Sequence, residues 1–465
     1  MIKLGRAEKA SWTLVVLGFL AFLAAAPAPG SGAPAADKRT LTLDECVGLA
    51  IENSKALHAS SLRVESAQAK TKEINAARLP SFRLGASYTR LSEVPPFEVT
   101  LPSFLFSKPL KFEVSPVFLD NYNLRLSFSQ PLFTGFKLKS GEEASRWGEM
   151  ATEEDYARDR AELVFSAKNA YWNLFKARAL AAVVAENVGQ VRRHLQDVEN
   201  LLGSGLLTRN EVLRVKVQLS QVEMLRIEAD NAVELASLWL KSVIGVPLDQ
   251  EIEIPAEAAD TEPQTPAASE PATCDEWVRK ALENRPELKA MDYRVRAAES
   301  GLDVARSSWY PQVFLAGNYS FARPNPRILP SKDRFYDTWD FSVSVSMELW
   351  NWGITSYQTA QAKAQIAQAQ DGLGQIRDGV TIEVWSAWLA LDGAGRKVAV
   401  AAESVFQADE NLRVTLDRFK DGIALNADVL DAEVALLQAK TALAQAQADR
   451  AIARARLAKT AGEVR

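Results

Sequence analysis

The chain has 465 residues but only two histidines and two cysteines, so imidazole and thiol groups are scarce. Its net charge of −5 is mild and argues against a nucleic-acid partner. His58 and His194 have no partner at the spacing of a metal site or a catalytic triad. We therefore expect ordinary helix-surface histidines, no cofactor, no metal site and no enzyme activity. Cys46 and Cys274 are too few for a disulfide framework, and the sequence leaves open whether they pair.

The N-terminal segment has the pattern of an export signal. Three basic residues lie within the first nine positions, and an apolar run of about fifteen residues follows over 12–26. Small residues at 33–35 then offer a cleavage site. A transmembrane anchor is the alternative, but this run is short and ends in alanine, proline and glycine. We predict a signal peptide over residues 1–35.

The mature chain repeats itself. Residues 44–53 align with 275–284, and at a slightly smaller offset Gly205 aligns with Gly422. An internal duplication explains both matches. Each repeat is predicted to run helix, strand, loop, strand, very long helix, tight turn and helix. The chain then divides into a first repeat over 36–248, a proline-rich linker over 249–273 and a second repeat over 274–465.

Four segments alternate apolar and polar side chains with a period of two, which is the pattern of a strand with one apolar face. In Trp339–Leu349, for example, every odd position is apolar and every even position is polar. Each segment runs for about ten residues, which is the length that a tilted strand needs to cross a bilayer core. The predicted strands lie over about residues 81–91, 120–132, 312–322 and 338–350.

Four strands are too few to close a membrane barrel, because the smallest single-chain barrels have about eight. An open edge inside hydrocarbon would leave backbone groups unpaired, at a cost of several kcal/mol each. If the strands span a membrane, several copies of the chain must therefore share one barrel. The sequence predicts an oligomer whose apolar strand faces contact lipid.

The helices account for most of the chain. The lead-in helices over 43–77 and 276–307 are each expected to break near an Asn-Ser or Asn-Arg-Pro step. No proline occurs from 132 to 246, so residues 140–202 are predicted to form one helix of about 63 residues, roughly 95 Å long. Its composition is typical of helices packed side by side. A soluble helical bundle is the alternative for the helices alone, and the strands argue against it.

Each long helix is predicted to end in a hairpin tip. Gly205 and Gly422 suit a left-handed helix C-cap, while Thr208 and Asn426 suit the N-cap of the next helix. Apolar residues at these solvent-facing turns suggest a docking surface, with local capping contacts as the alternative. The expected docking residues are Gly205, Leu206, Leu207, Gly422, Ile423 and Leu425.

The chain resembles the TolC family of outer-membrane efflux proteins in three features. These are the duplicated halves, the Gly422 hairpin with Asp-Val-Leu-Asp-Ala at 428–432, and the sequence Gln-Pro-Leu-Phe at 130–133, where the second strand ends. The resemblance covers nearly the whole mature chain. It implies a mainly α-helical fold with transmembrane β-strands: a homotrimer with one 12-stranded β-barrel in the bacterial outer membrane and an α-helical barrel in the periplasm.

By the same resemblance, the protein is a passive exit duct of a tripartite efflux or type I secretion system. It is opened by docking of a periplasmic adaptor protein and an inner-membrane pump. A periplasmic structural coiled-coil protein without a channel is the alternative, and it leaves the four bilayer-length strands unexplained.

The resemblance also implies a constriction at the periplasmic end. Asp428 and Asp431 are three apart and share one helix face, so three protomers would form two rings of carboxylates there. An early-turn residue and a solvated surface charge are the alternative. Where family members tie the tip with a tyrosine and an arginine, this chain has Phe419 and Ala424. The aperture ties are therefore expected among Arg209, Glu211, Arg214 and Arg418.

Overall fold

The computed structural model describes residues 39–95, 97–101, 110–115, 117–255 and 273–463. The predicted signal peptide and most of the predicted linker lie outside these residues. In chain order the elements are β1 (Arg39–Thr40), α1 (Leu43–Asn53), α2 (Lys55–Ala76), β2 (Ser81–Arg90), β3 (Phe97–Leu101), β4 (Leu110–Ser115), β5 (Asp120–Thr134), α3 (Lys137–Gly203), α4 (Arg209–Ile244), β6 (Ile252–Glu253), α5 (Cys274–Asn284), α6 (Pro286–Arg306), β7 (Gln312–Arg323), β8 (Tyr336–Ser346), α7 (Ile354–Lys420) and α8 (Asn426–Thr460).

The duplication is visible in the local signals that start each repeat. Thr42 and Glu45 form a capping box at the start of α1, and Thr273 and Glu276 form the same box at the start of α5. Both lead-in helices break where the sequence predicted. The first break lies at Ser54, which caps α2, and the second precedes a proline at the first position of α6.

Each repeat also ends in the same way. Gly245 and Gly462 follow the last helices with φ of 71° and 73°, which is the left-handed region that favours glycine. A Cβ atom on Gly245 would lie 2.5 Å from the Cβ of Asn53, and one on Gly462 would lie 3.1 Å from that of Asn284. The end of each repeat is thus packed against the break in its own lead-in helix.

The long helices α3 and α7 each have 67 residues and are about 100 Å long. Near the strands α3 packs against α2 and α6, where Trp147 stacks on Tyr293 at 5.8 Å. Towards its other end it packs against α4 and α8, where Glu186 pairs with Lys440 at 2.8 Å. Among the described residues, no helix is both long and apolar enough to cross a membrane.

The buried apolar side chains form three clusters along the helices. One lies around α1, the middle of α3 and the short parallel pair β1–β6, and a second lies around α5 and the middle of α7. The third fills the end of the molecule next to the two tips, between α3, α4, α7 and α8. Cys46 and Cys274 are free and buried, and burial raises the pKa of Cys46 to about 11.

The four long strands form one antiparallel sheet in the order β2-β5-β7-β8. Two differences from the expected strands appear. The predicted fourth strand over 338–350 ends at Ser346, because its partner β7 begins at Gln312 and Gln312 is paired with Ser346. The first inter-strand segment, expected to be loop, contains the additional hairpin β3–β4, since two short alternating runs pair with each other there.

Candidate functional site

The sheet has one apolar face, and this face is uncovered in the single chain. Phe341 and Val343 on the edge strand β8 are 69% and 63% exposed. The ring of Phe341 lies over Gly317 on β7, where a Cβ atom would come within 2.6 Å of it. Strand pairing aligns apolar residues across all four strands: Phe82, Leu84, Tyr88, Tyr122, Leu124, Leu126, Phe128, Leu315, Tyr319, Phe321, Trp339, Phe341 and Val343.

The opposite face carries a hydrogen-bonded ladder of polar side chains. Arg125 Nε donates to Ser320 Oγ at 3.2 Å, and Ser127 Oγ donates to Asn318 Oδ1 at 3.0 Å. Asn318 Nδ2 continues the ladder to Asp340 Oδ2 at 3.0 Å. A face of hydrogen-bonded polar groups is suited to contact with water, whereas the apolar face is suited to contact with lipid hydrocarbon.

The two hairpin tips have the same backbone geometry. In the first, the N–H of Leu206 donates to the carbonyl of Leu201 at 2.9 Å; in the second, the N–H of Ile423 donates to that of Arg418 at 2.8 Å. This bond spans five residues and marks the Schellman ending of a helix. Gly205 and Gly422 occupy the left-handed position, with φ of 75° and 71°.

The predicted docking residues lie at the ends of these tips. Leu206 is 72% exposed, Ile423 65% and Leu425 70%. Leu207 is different, because it is half-buried and packs against the tip cluster. Each tip therefore combines a fixed turn with uncovered apolar side chains.

Asp428 and Asp431 are both exposed on one side of α8, close to the second tip. The carboxylate of Asp428 also accepts a hydrogen bond from the N–H of Leu425 at 2.9 Å, so it caps the helix. Asn426, expected as the N-cap, is instead the first helical residue, and Leu425 precedes it as the cap. This shift by one residue frees the Asn426 side chain for a different contact.

That contact is a buried polar network that joins the two repeats. His194 Nε2 on α3 lies 2.8 Å from Asn426 Oδ1 on α8, and both side chains are nearly inaccessible. Asn426 Nδ2 donates to Glu211 Oε2 on α4 at 2.9 Å. Since the Asn426 nitrogen faces a carboxylate, its oxygen is the acceptor towards His194, and His194 Nε2 carries the proton.

The expectation of a surface histidine is wrong for His194, although His58 is exposed. His194 lies among buried valines at 184, 188, 191 and 198, whose spacing of three and four places it on the core side of α3. That spacing was the signal available in the sequence. Burial lowers the pKa of His194, because the interior disfavours its charged form.

The structure places the expected aperture ties in different surroundings. Glu211 belongs to the buried network, and Arg214 lies 3.9 Å from its carboxylate. Arg209 and Arg418 are exposed, and neither side chain has a hydrogen bond or ion pair with another described residue. Phe419 is buried, with its ring 5.6 Å from that of His194, so this position contributes to the core of the tip.

A second titratable group lies buried on α8. Glu433 is 3% exposed, and its Oε2 atom has no hydrogen-bond partner among the described residues. Burial raises its pKa to about 7. In the described part of the chain, no group of three or more His, Cys, Asp or Glu side chains is arranged to hold a metal ion.

A duplicated pair of very long helical hairpins with a small two-faced sheet at one end is the architecture of outer-membrane channel proteins. The sequence model of the outer membrane efflux protein family matches residues 46–246 and 277–463. The chain belongs to this family, whose members are outer-membrane channels and not enzymes. The protein is thus an outer-membrane protein that extends into the periplasm.

Individual relatives agree with this assignment. The chain is 25% identical over 339 residues to outer membrane efflux protein BepC of Brucella suis, covering 73% of this chain and 72% of that protein. It is 23% identical over 327 residues to TolC of Vibrio cholerae, covering 70% and 73%. Its fold is similar to the solved structure of VceC from Vibrio cholerae, with a TM-score of 0.73, 21% identity and coverage of 90% and 96%.

Proposed function

We propose that three copies of this chain form one passive exit duct for efflux or type I secretion. Their twelve strands close a single β-barrel in the outer membrane, and their long helices form a periplasmic tube. A periplasmic adaptor and an inner-membrane pump dock at the helical end and open it. The observation that carries this proposal is the four-stranded sheet: each of its two edge strands has one side that no other described strand pairs with, and its apolar face is uncovered.

The edges support sharing of the barrel between copies. β2 and β8 are ten and eleven residues long, and among the described strands each is paired on one side only. β2 is exposed over its whole length. Lipid offers no hydrogen bonds to such edges, so β8 of one copy is expected to pair with β2 of the next until the ring closes.

The tips support docking at the opposite end. Leu206, Ile423 and Leu425 are large apolar side chains held in solvent by rigid turns, and burial against a partner would remove them from water. Asp428 and Asp431 lie on the helix just beyond. In a trimer they would form two rings of carboxylates, which attract cations into a narrow entrance.

Planar-bilayer recordings of the purified protein test the constriction. Wild type is expected to form a cation-selective channel that multivalent cations block. Asp428→Asn/Asp431→Asn should reduce selectivity and abolish the block with the trimer intact, since asparagine retains capping ability. Glu228→Gln on α4 is the control and should behave as wild type. If multivalent cations block the double variant as strongly as wild type, these aspartates do not line the pore.

Docking is tested by cross-linking to the adaptor in cells. Gly205→Val and Gly422→Val should reduce cross-linking and export, because valine is strained at positive φ. Gly203→Val is the matched control, since Gly203 lies at the end of the same helix without a positive φ. Normal cross-linking by both tip variants would show that the adaptor binds elsewhere.

Gel electrophoresis separates the duct from a periplasmic coiled-coil protein. A shared barrel predicts a membrane-extracted trimer that resists detergent and dissociates only on heating. A soluble filament would not be recovered from the membrane in that form.

A further inference from the structure

The loop between β7 and β8, residues 324–335, lies over the polar face of the sheet. Its residues Pro326 and Arg327 line the same cleft of about 430 Å³ as Arg125 and Asn318 on the strands. A loop that merely connects two strands can extend away from the sheet end. This one folds back onto one face.

Asn325 holds the start of the loop in place. Its side chain is 1% exposed, and Nδ2 donates to the carbonyl of Tyr336 at 3.0 Å and to Thr338 Oγ1 at 3.2 Å. Its Oδ1 accepts from the N–H of Arg327 at 3.0 Å. Both ends of the amide are therefore used, and the backbone before Arg327 is tied to β8.

Arg327 then reaches down to the polar face. Its guanidinium donates to the carbonyl of Trp339 at 2.9 Å and to Asp340 Oδ1 at 2.8 Å. Asp340 is also the last member of the polar ladder, where it accepts from Asn318. The loop is thus continuous with the hydrogen-bonded network of the sheet.

The other end of the loop is fixed on the apolar face. Arg323 forms a two-pronged ion pair with Asp333, at 2.6 and 2.8 Å. Phe335 stacks on Phe321 with the ring centroids 5.0 Å apart, and it also contacts Tyr122. With one anchor on each face, the loop is held bent over the polar side.

We propose that this loop is a fixed size filter at the outer end of the channel. The inference rests on the proposed function, which makes the polar face the channel lumen. In the trimer, three copies of the loop extend from the barrel wall and reduce the diameter of the outer opening. That diameter sets the size of the largest solute that can leave. Selection by size at the outer end is then separate from selection by charge at the tips.

The test uses the full-length trimer in planar bilayers, with poly(ethylene glycol) of graded size added on the outer side. Asn325→Ala/Arg327→Ala should raise the conductance and admit larger polymers, because both side chains that hold the loop over the polar face are lost. Arg377→Ala is the control. It removes an exposed arginine from α7, outside the proposed filter, whose side chain has no hydrogen bond or ion pair with other described residues, and it should match wild type.

A second variant keeps the anchors intact. Ser331 is a loop residue that lines the cleft, so Ser331→Cys should lose conductance when a bulky thiol reagent is attached. The native cysteines are buried and should not react. An unchanged polymer cut-off in a trimeric double variant, or a labelled Ser331→Cys that conducts normally, overturns the filter alone. A wild-type trimer that forms no channel overturns the proposed function as well.

Discussion

His194 Nε2 lies 2.8 Å from Asn426 Oδ1, although the two residues are 232 positions apart in the chain. This contact connects α3 of the first repeat to the first turn of α8 in the second. Glu211 adds α4 to the same network. The two hairpin tips of a protomer are therefore joined by one network of three polar side chains, and the charge on His194 affects how well they pack.

Acid is expected to weaken this part of the molecule. The folded state lowers the pKa of His194 below its ordinary 6.5, because burial favours the neutral ring. Above pH 6.5 the ring is neutral in both the folded and the unfolded protein, so it does not change the free energy of unfolding. Below that value the unfolded protein binds a proton more readily than the folded protein, so stability is lost as the pH falls. Glu433 titrates in wild type and in His194 variants alike, so we expect the melting temperature of wild type to fall relative to that of His194→Gln between pH 7.5 and 5.5.

His194→Gln should lack the loss of stability that comes from His194, since glutamine can still donate to Asn426 and does not titrate. His58→Gln is the control, because it makes the same substitution at an exposed histidine outside this network. Thermal unfolding of the three proteins across this pH range is the measurement. Equal drops in wild type and His194→Gln would contradict the assignment.

Glu433 should have the opposite pH dependence. Its pKa is raised to about 7, so ionisation of Glu433 in the folded protein is unfavourable. The resulting loss of stability grows between about pH 4.5 and pH 7 and is complete above pH 7. Glu433→Gln should stabilise the protein at pH 8, by up to about 3 kcal/mol, and by little at pH 5. Denaturant titration at both pH values measures this. The same gain from Glu228→Gln, on an exposed part of α4, would point to net charge instead.

The two faces of β8 should tolerate charge very differently. Val343→Arg places a cation on the apolar face and should cost about 2–4 kcal/mol if it lies near the bilayer midplane. Ser342→Arg places it on the polar face and should cost little. The yield and urea resistance of the membrane-inserted trimer distinguish them. Equal tolerance of arginine at both positions would contradict the prediction that the face with Val343 contacts lipid.

Gly317 should not accept a side chain. A Cβ atom there would lie 2.6 Å from the ring of Phe341, so Gly317→Ala forces that ring to move and should destabilise the pairing of β7 with β8. Gly85→Ala is the control, because nothing lies within 4 Å of a Cβ at Gly85. Heat resistance of the trimer is the measurement. A Gly317→Ala trimer as heat-resistant as Gly85→Ala would argue against this packing.

Regular patterns made much of the fold predictable. The period-two alternation located the strands, because neighbouring side chains on a strand must face opposite environments. The left-handed glycines at 205 and 422 located the tips, since few other residues adopt that backbone. The break at Ser54 was likewise a local signal.

What was missed depends on contacts between distant segments. The role of Asn426 in the network follows from its distance to His194 and Glu211, and local capping preference alone placed it one position away. The position of the loop over the polar face depends on the contact of Arg327 with Asp340, which no periodicity reveals. The early end of β8 depends on where its partner begins.

The unpaired edges of β2 and β8 have a genetic consequence. Under the proposed closure, every copy supplies one edge to each neighbour, so one defective copy leaves the ring open. If half of the chains in a cell carry an edge defect and copies mix at random, only about one trimer in eight is free of it. A mutation at either edge should therefore act dominantly over a normal gene in the same cell.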